Sequence, residues 1–207
     1  MIVTGVEQQK KDKSRFSVYI DGEYAFSLIK EDILYFKIKE GYEIPEERYD
    51  YIMNTTIYIK AQDMVVRYIG YKMRTEKEVI DKLRSYEYSD EVIEKVVAGL
   101  KKYDYINDKI YCEKYVKETL KLRPKGKFLI KQELKMKGIE EDVIDCVLEE
   151  KSVDENGLIE ELLLKKYEGF REMDDREKAK IYSFLLRRGF SYGAIKDAIS
   201  TLAEKDM

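Results

Sequence analysis

The sequence predicts a mostly α-helical protein: a small N-terminal β-meander with helices, then three tandem three-helix repeats forming an elongated curved array. Three observations predict it. First, the segments LRSYEYSDEVIEKVV, LKMKGIEEDVIDCVL and LLRRGFSYGAIKDAI, beginning at Leu83, Leu134 and Leu185, align without gaps at a constant offset of 51 residues. A fixed period of this size marks stacked supersecondary units. Second, IVTGVEQQ and RFSVYI alternate apolar and polar residues at period two, as half-buried strands do. Third, helix-capping residues recur at the joints between the helical stretches. The division expected from these patterns is an N-terminal β/helix domain at 1–60 and repeats at 61–108, 109–157 and 158–207.

The elements follow in order. KKDKS separates the first two strands as a loop, and Asp21-Gly22 between VYI and EYAFSL is a strong signal for a tight hairpin. A short helix is expected near Lys30 to Lys37, and Pro45 suits the start of a second over about 46–59. A lone three-stranded meander is marginal, so it should pack on these helices or on the first repeat.

From Ala61 the pattern is helical. The first helices of the three rounds carry Met64, Val65, Tyr68 and Ile69; Tyr111, Cys112, Tyr115, Val116 and Leu120; and Leu162, Leu163 and Tyr167. The second carry Val79, Ile80 and Leu83; Leu129, Ile130 and Leu134; and Ile181, Phe184 and Leu185. The third carry Val92, Ile93, Val96, Val97 and Leu100; Val143, Ile144, Val147 and Leu148; and Ala194, Ile195, Ala198 and Ile199. Spacings of one, three and four give each helix one apolar stripe. Thr75 with Glu78, and Asp174 with Glu177, are capping boxes. Ser89 and Ser191 are placed to cap third helices, and Asn107 or Asp108 the first helix of round two. Gly138 and Gly189 align where a left-handed residue closes a helix. Glu87 holds that position in round one, so its turn must differ or bear strain.

The composition narrows the function. The 207 residues include no histidine and only two cysteines, Cys112 and Cys146, far apart. The commonest general base and metal ligand is therefore missing, and no metal spacing or disulfide framework can be built. Both cysteines alternate with apolar residues and read as buried helix-face residues. Glycines are spread singly, so no phosphate-cradling loop appears, and no carboxylate pair stands out. No enzyme is read here, and no cofactor or metal is expected. The N-terminus lacks a signal-peptide core and no run is long enough to span a membrane, which fits a reducing cytoplasmic setting.

The net charge of −3 argues against coating nucleic acid through bulk charge. Locally the charge is polarised. Lys114 to Lys137 holds nine basic residues against Glu118 and Glu133, and Gly138 to Glu161 holds ten acidic ones against Lys151. Lys114, Lys117 and Lys121 share one helix face, Lys127, Lys131 and Lys135 follow at intervals of four, and Arg123 and Lys125 lie between. Two readings stay open: a solvated face with paired helix ends, or a surface for phosphates or an acidic protein groove. Smaller basic groups stand at Lys72, Arg74 and Lys77 and at Arg187 and Arg188. Most of the eighteen tyrosines, including Tyr19, Tyr68, Tyr111 and Tyr115, fall on expected core faces rather than on a base-stacking platform.

YKMRTEKEVIDKL (71–83), YINDKIYCEKYV (105–116), KGKFLIKQELKMKGI (125–139) and FLLRRGFSYGAI (184–195) together resemble the bacterial RecX regulatory proteins, and VTGVEQQKK with RFSVYIDGEYAFSL resembles the extra N-terminal domain of many Firmicute members. The resemblance spans nearly the whole chain. It implies a non-catalytic modulator of the RecA recombinase that binds the groove of the RecA–single-stranded-DNA filament and inhibits or disassembles it. Recombination, DNA repair and the SOS response would be modulated in consequence. The expected partners are the filament groove and the single-stranded DNA within it, with weak free-DNA binding and no membrane, the protein acting as a monomer. By residue type and position, Lys72, Arg74, Lys77, Lys121, Arg123, Lys125, Lys127 and Lys135 are expected to contact filament or DNA. The alternatives are a plain DNA-binding protein and a helical-repeat scaffold for another partner.

Overall fold

The computed structural model describes residues 1–10, 12–166 and 174–205. Strands β1 (Val3–Gln8), β2 (Arg15–Ile20) and β3 (Glu23–Ile29) form an antiparallel meander in that order. The β2–β3 turn is the expected one: Asp21 and Gly22 both take positive φ, 50° and 90°, the combination that a two-residue turn needs to follow the strand twist. Val18 pairs with Phe26 and Phe16 with Leu28 on one face, whereas Ser17 pairs with Ser27 on the other. Helix α1 (Lys30–Tyr35) follows, and Pro45 then directly precedes α2 (Glu46–Tyr51).

One expectation changes here. The helix expected over 46–59 does not end before the first repeat. It runs on through a π-helical stretch, Ile52–Ile57, into α3 (Tyr58–Tyr71). The buried residues along this helix are Ile52, Met53, Ile57, Ala61 and Val65. Within the π stretch the wider i→i+5 turn brings Ile57 over Ile52 as well as near Met53. In the sequence this phase shift reads as a break.

The remaining helices are α4 (Glu76–Ser85), α5 (Asp90–Lys102), α6 (Asp108–Leu122), α7 (Lys127–Met136), α8 (Glu141–Glu150), α9 (Glu155–Lys166), α10 (Asp175–Arg187) and α11 (Tyr192–Lys205). The chain is mostly helical, with α3–α5, α6–α8 and α9–α11 as three successive sets. Tyr167, expected on the stripe of α9, lies outside the described residues. Contacts divide the chain into two compact units, Met1–Ile106 and Asn107–Met207. The first unit has one core. Val3, Val18, Phe26 and Leu28 of the sheet join Ile52, Ala61, Val65, Val79, Leu83, Val96 and Leu100 of the helices. In the second unit, Cys112, Val116, Ile130, Leu134, Ile144 and Val147 form one cluster, and Ile159, Leu163, Ile181, Leu185, Ile195 and Ala198 another.

The threefold phrase is a threefold helix stop. Glu87, Gly138 and Gly189 are all left-handed, with φ of 59°, 82° and 80°. At each, the next residue's N–H reaches back to the leucine at the start of the phrase: Tyr88 to Leu83 at 3.4 Å, Ile139 to Leu134 at 3.2 Å and Phe190 to Leu185 at 3.3 Å. This is the six-to-one bond of a Schellman ending. The Glu87 turn does not differ, so it bears the strain, on the order of 1 kcal/mol. Partners hold it there. Gln9 Nε2 donates to Glu87 Oε2 at 2.5 Å and the Tyr24 hydroxyl donates to the Glu87 carbonyl at 2.5 Å. Arg15 lies over the Tyr88 ring at 5.2 Å. The sheet's serine face is thus seated on the α4–α5 turn.

The capping expectations divide. Thr75 with Glu78 and Asp174 with Glu177 form complete capping boxes, Asn107 accepts from the Ile110 N–H, and Ser191 accepts from Ala194. Ser89 occupies the capping position of α5, but its buried hydroxyl finds no partner among the described residues. Cys112 is fully buried, which pushes its thiol up to about 11. Cys146 is exposed, contrary to expectation, because the stripe of α8 runs through Ile144, Val147 and Leu148 and leaves position 146 outside it.

Candidate functional site

Except for Lys135, which lies in the last turn of α7, the residues expected to make contacts sit at the joints between first and second helices. Lys72 is exposed and extended, directly after α3. The Arg74 guanidinium lies 4.0 Å from the Tyr68 ring centroid, and its Nε is buried without a hydrogen-bond partner among the described residues. Lys77 is held by Asp81 one turn along α4, at 2.7 Å. These three belong to the first unit.

In the second unit the joint is the loop Arg123–Gly126. It is anchored by backbone: the Gly126 N–H donates to the Arg188 carbonyl at 2.9 Å, and Arg188 Nη1 donates to the Pro124 carbonyl at 3.0 Å. A Cβ on Gly126 would lie 2.0 Å from the Gly189 oxygen, so only glycine permits this approach. The loop therefore rests on the α10–α11 turn.

The five expected residues around this loop separate into two kinds. Lys125 and Lys135 are engaged inside the domain. Lys125 reaches both oxygens of Glu133, at 2.5 and 2.7 Å, and the Tyr115 hydroxyl donates to the same carboxylate at 2.5 Å. Burial works to raise the Glu133 carboxyl, but the bonds from Lys125 and Tyr115 outweigh it and hold it below its ordinary range. Burial, then the bond to Glu133, push the Tyr115 phenol well above its own. Lys135 pairs with Glu141, as does Lys131, at 2.6 Å for the latter, and Lys131 also reaches Asp145 at 2.8 Å. Hydrogen bonds from Lys131 and then Lys135 hold the Glu141 carboxyl down at about 2. By contrast, Lys121, Arg123 and Lys127 are exposed, and their side chains have no ion pair among the described residues.

Lys121 stands between two grooves. One, of about 630 Å³, is lined by Ile110, Lys114, Lys117, Lys121, Leu122 and Lys151 with Glu113 and Glu118. The other, of about 430 Å³, brings Lys121, Arg123, Lys165 and Arg188 around Leu122, Pro124 and Leu162, with Glu161. Leu122 is 71% exposed between them. This is an amphipathic, cationic ridge that can take a chain of negative charges or an acidic protein strand. Lys151, which the sequence shows only as the lone cation of an acidic run, and Lys165 join this ridge through the fold, because no spacing connects them to α6. The tyrosine reading also needs amending. Tyr19, Tyr68, Tyr111 and Tyr115 are half-buried at core edges, and among the described residues eight others, Tyr71 the most, are exposed.

Comparison with known proteins shows the family to which the chain belongs. Family profiles match residues 1–45 as the N-terminal domain of regulatory protein RecX, and 61–100, 107–148 and 154–199 as the first, second and third three-helix domains of RecX. The regulatory protein RecX of Clostridium acetobutylicum is 36% identical over 97% of this chain and 95% of its own length. This chain belongs to the RecX family. The RecX of Clostridioides difficile is 33% identical over 99% of the chain and 97% of its own. A crystal structure of regulatory protein RecX superposes with a TM-score of 0.62 at 30% identity, covering 95% of this chain and 98% of that one. The crystal structure of RecX from Lactobacillus salivarius gives a TM-score of 0.64 at 33% identity, over 70% of this chain and 96% of that one. RecX proteins are named as regulators. Among the described residues of this member, no helix is long and apolar enough to cross a membrane.

Proposed function

We propose that this protein is a non-catalytic, cytoplasmic regulator that binds the RecA–single-stranded-DNA filament and inhibits or disassembles it, modulating recombination, DNA repair and the SOS response. Membership in a family of regulators along the whole chain supports the reading, and the cationic ridge is the observation that carries it to a surface. Lys121 and Arg123 are exposed and unpaired beside Leu122. They are the primary contacts, with Lys127 beyond them and Lys72 and Arg74 as a second set. Lys77, Lys125 and Lys135 contribute by shaping the joints from within their ion pairs. The protein acts as a monomer, and its working segments are the β/helix domain at 1–60 and the repeats at 61–108, 109–157 and 158–207.

The test is RecA ATP hydrolysis on single-stranded DNA, read with filament length, as this protein is added below stoichiometry. Unchanged rate and length would refute the proposal. The exposed, unpaired cations also suit direct DNA binding. That reading predicts tight binding to free single strands, with a salt slope approaching about 0.7 per neutralised phosphate. Equal affinity for bare and RecA-coated strands would favour it.

A further inference from the structure

The seam between the second and third helix is filled differently in the three repeats, and in the first two it leaves a groove. In the middle repeat, Lys131 lies in the groove and its ammonium meets Asp145 at 2.8 Å. About 270 Å³ remains, lined by Lys127, Phe128, Lys131, Asp145, Leu148 and Glu149. In the last repeat the position matching Lys131 is Tyr182, whose ring meets Tyr192 at 5.9 Å. In the first repeat the matching positions are Ile80 and Glu94, each 51 residues earlier than Lys131 and Asp145. The carboxylate is kept and the lysine is not.

The first groove is correspondingly larger, about 490 Å³, with Ile80, Ile93, Val97 and Ala98 along it. Its ends are closed by ion pairs, Arg84 with Asp90 at 3.3 Å and Lys101 with Glu76 at 2.7 Å. The Arg84–Asp90 pair stands where Lys135–Glu141 stands in the middle repeat. Glu94 is exposed and has no side-chain partner among the described residues.

We infer that the α4–α5 groove of the first repeat receives a lysine or arginine of a protein partner, its stem on Ile80 and Val97 and its charge on Glu94. The middle repeat shows the same geometry satisfied from within. A nucleic-acid strand is the wrong occupant, because Glu76 and Asp90 are already held by Lys101 and Arg84 and the charge left over at the rim is the Glu94 carboxylate. Resting on the filament reading above, the occupant belongs to the recombinase and not to the DNA. A cation flanked by apolar side chains fits best, since the floor is apolar and the groove is open along its length.

The probe is an acetylated, amidated twelve-residue alanine–leucine helix with one central lysine, titrated into the 15N-labelled full chain. Amide shifts are expected at Ile93, Glu94, Val97 and Ala98. The same peptide with norleucine for lysine should bind about three- to fivefold more weakly, the scale of one exposed ion pair. Ile80→Lys, which copies the middle repeat, should abolish the shifts with the helical circular dichroism retained, and Glu94→Gln should weaken binding as norleucine does. Absence of shifts, equal binding of the two peptides, or unchanged binding by Glu94→Gln overturns the inference. The filament assay separates the two ideas. If the wild-type chain leaves RecA ATP hydrolysis unchanged, the filament reading fails and the peptide titration still decides the groove. If wild type acts and Ile80→Lys acts equally, the recombinase is not the occupant.

Discussion

Replacing Gly126 by alanine places one methyl group where the backbone of another repeat already is. The added Cβ would meet the Gly189 oxygen at 2.0 Å, the Gly189 carbonyl carbon at 2.3 Å and the Phe190 nitrogen at 2.4 Å. None of these is a side chain that can swing aside, so the loop Arg123–Gly126 must lift off the α10–α11 turn. Lifting breaks the Gly126–Arg188 and Arg188–Pro124 hydrogen bonds. At about 1 kcal/mol each, with a similar amount for the packing opened behind them, the loss is about 2–3 kcal/mol. For a unit of this size that corresponds to a fall in melting temperature of about 10–20 °C. Urea denaturation followed by circular dichroism measures it, with Gly193→Ala as the control. A Cβ at Gly193 meets nothing within 4 Å, so that variant should match wild type or exceed it slightly. A Gly126→Ala variant within about 0.5 kcal/mol of wild type would refute the claim that the loop is held by backbone contact.

Three further outcomes follow from the same structure. Glu87→Gly should be neutral or slightly stabilising, because release of left-handed strain offsets the lost Gln9 bond, whereas Glu87→Ala keeps the strain, loses the bond and should cost about 1 kcal/mol in urea denaturation. The Glu141 carboxyl, held at about 2 against an ordinary 4.5 by Lys131 and Lys135, contributes stability that is complete above pH 4.5 and fades as the pH falls toward 2. Carbon-13 NMR should place its midpoint near 2, and the double variant Lys131→Gln, Lys135→Gln should return it toward 4.5 and flatten that acid limb. In the filament assay, Lys121→Glu with Arg123→Glu should weaken the effect on RecA by tenfold or more, on the order of 1.4 kcal/mol, at unchanged stability. Lys125→Gln should instead lower stability, by releasing Glu133, and leave most of the effect.

What could be read in the sequence was what depends on neighbours along the chain. The Leu83, Leu134 and Leu185 phrase, the Asp21-Gly22 turn and the capping boxes at Thr75 and Asp174 are each written within a few residues. The features that escaped depend on groups meeting across space. Serine stands at the N-cap position 89, yet its buried hydroxyl makes no cap bond, an outcome of side-chain orientation that residue type alone does not fix. Cys146 differs from its buried neighbours by a rotation about α8. The continuous helix from Glu46 to Tyr71 was hidden by its own π turn, which shifts the apolar stripe by one residue. The basic run from Lys114 to Lys137 was visible as composition. Its division into paired lysines and unpaired cations (Lys121, Arg123, Lys127) depends on packing: Lys125 meets Glu133 of α7, while Lys131 and Lys135 meet Asp145 and Glu141 of α8.

The shared core of the first unit also sets an order of events at the ribosome. Val3, Val18 and Phe26 belong to one core with residues as late as Val96 and Leu100. The strands emerge first and meet their first apolar partners early, where Tyr49 packs on the Phe26 ring and Phe36, Ile38, Ile44 and Ile52 join the cluster. The core is complete only once α5 has cleared the exit tunnel. The second unit, Asn107 onward, has clusters of its own and can begin to condense as soon as α8 is free. A pause in translation before α5 has cleared the tunnel would therefore leave the first core unfinished, whereas a pause after it has cleared would leave that core whole.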